Sequence, residues 1–106
     1  MFGNLGQLMD LAKRAGEIKK NVKKFREEMA KNEFSASAGG DAVKVVVSGD
    51  LQIKSIAFGS TAPFSDPELL ADLVKHAANN AVMTAKNAAA EGLKEATGGM
   101  DMGDFL

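Results

Sequence analysis

This sequence contains no cysteine, no tryptophan and no tyrosine, and only two prolines and one histidine in 106 residues. Without cysteine there can be no disulfide, no thiol nucleophile and no cysteine-ligated zinc. The lone histidine, His76, offers no cluster for a transition metal, and the acids are dispersed, with no group at calcium-ligand spacing. No metal or other cofactor is therefore expected. Ser35, Ser37, Ser60 and Ser65 have no base near them in sequence, so a nucleophilic triad is not expected either. Gly39-Gly40 and Gly98-Gly99 lack the residues of a phosphate loop and read as a turn and a helix stop. These absences point away from an enzyme and from a small-molecule substrate. Long hydrophobic runs are missing as well, and nothing approaches the roughly 20 residues that span a bilayer. The opening Met-Phe-Gly-Asn-Leu-Gly has neither a basic segment nor a continuous apolar one. No signal peptide and no membrane partner are expected, and the default location is the cytoplasm.

Charge is balanced overall, at −1, but unevenly placed. Lys13 to Arg26 holds seven basic residues (Lys13, Arg14, Lys19, Lys20, Lys23, Lys24 and Arg26) and one acid, Glu17, a local net charge of +6. The remainder is net acidic, so binding to nucleic acid would have to come from this patch and not from bulk charge. The same stretch has a heptad pattern: Leu8, Leu11, Ala15, Ile18, Val22, Phe25 and Met29 alternate three- and four-residue steps. That spacing predicts one helix from Asn4 to about Asn32. At about 100° per residue, Lys13, Lys20, Lys24 and Lys31 fall opposite the apolar stripe. Glu17 is placed to pair with Lys13 and Lys20, and Glu27 with Lys23, Lys24 and Lys31. Lys19, Lys20, Lys23 and Lys24 remain in surplus, as candidates for phosphate contact.

Beyond the helix, Phe34 to Ala38 reads as a short strand, and the β-branched run Val43–Val47 as a strong one. Ser48-Gly49-Asp50 supplies turn chemistry, with Gly49 free to take positive φ. In the third strand, Leu51 to Phe58, the apolar step from Ile53 to Ile56 changes phase, which predicts a bulge near Lys54–Ser55. Asp66-Pro67-Glu68 is a clean helix start, and the second helix should run from Pro67 to about Thr97. Its inner face turns to alanine after Val74. Asn79 and Asn80 are unusual in a helix interior, and one of them is expected to hydrogen-bond across a helix–strand or subunit contact. The expected organisation is one domain over residues 1–99 and a mobile tail over 100–106 that carries Asp101 and Asp104. The class is α+β, in the order α-β-β-β-α with a three-stranded antiparallel meander. Helices of about 40–45 Å cannot both be covered by so small a sheet, and a homodimer is the simplest cover. The residues expected at its interface are Val22, Phe25 and Met29 from the stripe, and Val45 and Val47 from the second strand.

Three stretches together resemble the YbaB/EbfC family of bacterial nucleoid-associated proteins. They are Met1 to Met9 followed by a Lys/Glu/Met-rich helix ending Glu27-Glu28-Met29-Ala30, Val43-Lys44-Val45-Val46-Val47-Ser48-Gly49, and Leu70-Ala-Asp-Leu-Val74 with Ala77-Ala78-Asn79-Asn80-Ala81. The resemblance implies a tweezer-like homodimer, double-stranded DNA as partner, and a place at the nucleoid or in gene regulation. It implies DNA contacts at Lys13, Arg14, Lys20, Lys23 and Lys24, and no catalytic residues. The second helix departs from it, being alanine- and asparagine-rich with only Lys75, Lys86 and Lys94. The competing expectation is a non-enzymatic adaptor that docks another protein on the seam or on the basic face.

Overall fold

A computed structural model of the chain describes residues 4–98. The tail expected at 100–106 lies outside the described residues. The first helix, α1, runs over Asn4–Lys31, and three strands follow: β1 (Glu33–Ala38), β2 (Val43–Ser48) and β3 (Ile53–Phe58). The second helix, α2, covers Pro67–Ala96 and closes the order α-β-β-β-α. Its start follows the sequence chemistry. The Asp66 carboxylate accepts a hydrogen bond from the Leu69 amide at 3.2 Å. Pro67 opens the first turn, where its missing N–H costs nothing. The helix ends at Thr97 and at Gly98, whose φ of +71° turns the chain off the helix axis. Glycine takes that left-handed position without strain.

The strands form an antiparallel meander in the order β1-β2-β3. Register places Phe34, Ala36 and Ala38 opposite Val47, Val45 and Val43, so all six share one face. α2 lies across that face. Val43, Val45 and Val47 meet Ala77, Ala81 and Ala85, and all six are fully buried. Alanine on the helix side lets the backbone come close, and each buried valine contributes roughly 1.5–3 kcal/mol. The expected bulge is present. Val46 pairs with Ser55 and Val47 with Ile53, leaving Lys54 as the extra residue. Its effect is to return Ile53 and Ile56 to the same face as the β2 valines.

The β2–β3 turn differs from expectation in one respect. The residue with positive φ is Leu51, at 65°, and not Gly49. Leu51 donates its amide to the Ser48 carbonyl at 2.9 Å. It thus occupies the left-handed position that follows a tight turn. Gly49 is needed for a different reason: a Cβ there would run into the Met29 carbonyl. That close approach, with the Gly49 amide donating to the Asn32 carbonyl at 3.0 Å, locks the end of α1 onto the sheet.

The helices are antiparallel and staggered. Only the C-terminal part of α1 is held by α2, with the Phe25 ring against Gly92 and Met29 beside Leu93. The N-terminal part overhangs, and Leu5, Leu8, Met9 and Leu11 are each at least 60% exposed. The molecule measures 75 × 22 × 16 Å and has a radius of gyration of 20.2 Å. A compact chain of this size would have a radius of gyration of only about 13 Å.

Candidate nucleic-acid interface

The basic residues lie on a rod clamped at one end. Met29, buried between the β2–β3 turn and α2, anchors the rod, and Phe25 sets its distance from α2. From that root α1 projects toward its N-terminus with Lys13, Arg14, Lys19, Lys20, Lys23, Lys24 and Arg26 all exposed. The rotation of the helix sorts six of the seven into two groups. Lys13, Lys20 and Lys24, with Lys31, face away from the apolar stripe. Lys19, Lys23 and Arg26 border it, and they rim a groove of about 620 Å³ floored by Ala15, Ile18 and Val22.

The ion pairs expected from Glu17 and Glu27 do not form. Among the described residues the one ion pair on α1 joins Arg14 to Asp10, at 3.8 Å and largely exposed. Exposed lysine–glutamate pairs gain little in water and cost side-chain freedom, so solvation wins here. The other six of the seven cations therefore have no acidic partner among the described residues. Lys20 and Lys24, one turn apart, repel each other by a few tenths of a kcal/mol, which a bound polyanion would relieve. The lysines present point charges suited to phosphate oxygens, while only Arg14 and Arg26 offer a bidentate fork.

On α2 the picture is different. Lys75 lies 3.2 Å from Asp72, and His76 3.4 Å from the same carboxylate. The Lys75 hydrogen bond, aided by its charge, holds the Asp72 carboxyl below its ordinary pKa. Asn79 and Asn80 are exposed and their side chains form no hydrogen bond among the described residues, so the expected helix–strand contact is not made. They lie on the α2 face turned away from the sheet.

Of the residues expected at a subunit interface, Val45 and Val47 are reassigned. Both are completely buried beneath α2 in a single chain, and a second chain could reach them only by displacing that helix. Met29 is likewise spent within the chain, whereas Val22 and Phe25 are half-buried. The open surface is β3, exposed along its whole length. Ile53, Ile56 and Phe58 continue the valine face sideways, and Phe64 stacks edge-on to Phe58 at 5.6 Å. These four apolar side chains are 42% to 63% exposed. The signal for them was present in the sequence. One helix about 10 Å across cannot cover three strands set about 4.8 Å apart, so the last strand of the meander is left bare.

The family model described as the YbaB/EbfC DNA-binding family matches residues 3–100. The chain belongs to the YbaB/EbfC DNA-binding family. Relatives agree with this. A nucleoid-associated protein of Clostridium kluyveri is 38% identical over 102 residues, covering 95% of this chain and 90% of the relative. One from Acinetobacter baumannii is 34% identical over 100 residues, covering 93% and 92%. The crystal structure of an uncharacterized protein from Helicobacter pylori superposes with a TM-score of 0.61 at 19% identity, covering 83% of this chain and 87% of that one. That likeness concerns the fold. For a YbaB/EbfC chain, the exposed cationic rod is the natural place to look for the DNA contact.

Proposed function

We propose that this protein is a nucleoid-associated homodimer that grips the backbone of duplex DNA with the basic faces of its two α1 rods. The observation that carries the reading is the row of exposed cations on α1 without acidic partners among the described residues, in a chain whose family is a DNA-binding one. Lys13, Lys20 and Lys24 supply the outward face, with Arg14, Lys19, Lys23 and Arg26 on its flanks. Binding is driven by counterion release, falls steeply with salt and discriminates little between sequences, because lysine-rich faces read phosphate and not base edges. Relatives named nucleoid-associated proteins support a role in organising the nucleoid, with effects on gene expression following from occupancy.

The second copy joins through β3. Its unpaired edge and the uncovered Ile53, Ile56 and Phe58 together make a self-complementary patch about a two-fold axis. A dimer doubles the number of phosphate contacts and fixes the spacing of the arms.

Reversing two charges tests the DNA contact. Lys20→Glu with Lys24→Glu leaves the dimer and the helical content intact. It weakens binding to a random-sequence duplex by at least about tenfold near 0.1 M salt and flattens the slope of log K against log salt. Unchanged affinity in gel shift would remove these residues from the interface. The uncovered apolar seam of α1 favours a second reading, an adaptor for another protein. Absence of any duplex binding at low salt would select it.

A further inference from the structure

The groove beside α1 has a floor that suits apolar side chains and a rim that suits acids. Ala15, Ile18 and Val22 form the floor, and Lys19, Lys23 and Arg26 stand along its edge, with Glu27 the only acid among its described lining residues. α2 is capped at Thr97, which also lines this groove. Gly98, at φ +71°, then turns the chain off the helix beside Arg14 and Ile18. Eight residues, Gly99 to Leu106, follow Gly98 in the sequence, one residue beyond Thr97, which lines the groove. Extended, they reach about 26 Å. The floor and rim from Ala15 to Arg26 extend only about 17 Å along the helix. The composition of that segment matches the groove: Met100, Met102, Phe105 and Leu106 are apolar, Asp101 and Asp104 are acidic, and no base is among them.

We propose that the segment following Gly98 docks back into this groove and acts as a built-in brake on polyanion binding. Its apolar side chains cover Ala15, Ile18 and Val22, while Asp101 and Asp104 neutralise Lys19, Lys23 and Arg26. The opposite face of the rod, with Lys13, Lys20 and Lys24, stays free, so the brake is partial. Docking stands independently of what the rod binds, and only the braking effect rests on the DNA reading.

The absence of native cysteine allows a clean test on the full chain. Gly103→Cys carries a nitroxide label, and paramagnetic broadening of backbone amides is read along α1. Broadening is expected at Ile18 to Lys23 and is expected to fade when Asp101→Lys and Asp104→Lys are introduced. In parallel, Asp101→Asn with Asp104→Asn binds a random duplex about fivefold tighter near 0.1 M salt, and the gain vanishes at high salt. Met102→Ser with Phe105→Ser gives a gain that persists at high salt. No broadening on α1 overturns the proposal. So does broadening seen only between a labelled copy and an isotope-enriched one, which would place the segment on a neighbour. Broadening with unchanged duplex affinity in both tail variants overturns the brake. If the full chain binds no duplex at any salt while broadening persists, the DNA reading falls and the docking stands.

Discussion

Leu51 is a residue in a place meant for glycine. It sits at φ 65°. There a side chain costs an L-residue about 1–2 kcal/mol. Leu51→Gly should therefore raise stability by about 0.5–1 kcal/mol after glycine's own entropy cost, measured by urea denaturation. Asp72 makes a smaller and pH-dependent contribution. Its carboxyl is held low by Lys75. Its stabilising effect is therefore complete above the ordinary carboxylate pKa and is lost as acid brings the pH down through the lowered folded value. With about half of its side chain open to solvent, it is screened. Asp72→Asn should leave the melting temperature at neutral pH essentially unchanged and should reduce its dependence on pH only in the acid range. Neither effect was visible from sequence. The turn residues were legible as a turn, but the need for glycine at Gly49 comes from the close approach of the Met29 carbonyl, a contact between residues far apart along the chain.

At the scale of elements, boundaries and types followed the sequence closely, because each signal was local. Asp66-Pro67 started α2, Gly98 ended it, and the phase change between Ile53 and Ile56 gave the bulge at Lys54. What joins α1 to α2 was harder to see. Glycine inside a helix costs about 1 kcal/mol against alanine, and Gly92 stands within α2. It is in fact the seat of the Phe25 ring, and a Cβ there would strike it. Gly92→Leu should push the helices apart and destabilise the fold by about 1–3 kcal/mol. The expected signature is faster hydrogen exchange in α1, while the β2 amides under α2 keep their protection.

At the scale of the molecule, the decisive quantity is coverage. A fold 75 Å long has too little sheet for its helices and too little helix for its sheet, since α2 spans β1 and β2 but not β3. Ile56→Lys with Phe58→Lys should convert the proposed dimer to a monomer in sedimentation at micromolar concentration, with duplex affinity falling because two arms no longer act together. Helical content should be retained, as neither side chain belongs to the buried core. Dimers that persist in that variant would move the interface elsewhere, with the half-buried Val22 and Phe25 the next candidates.

The chain by itself determined which residues form each element, where each element stops, and that one helix carries a concentrated positive charge. Those features depend on periodicity, capping and composition, all of which act between near neighbours. Only the tertiary structure decided which apolar residues were consumed internally. Val45 and Val47 vanished beneath Ala77, Ala81 and Ala85, while Ile53, Ile56 and Phe58, equally apolar and on the same face, were left uncovered. The physical reason is the width of one helix laid over three strands, a relation between elements distant in sequence.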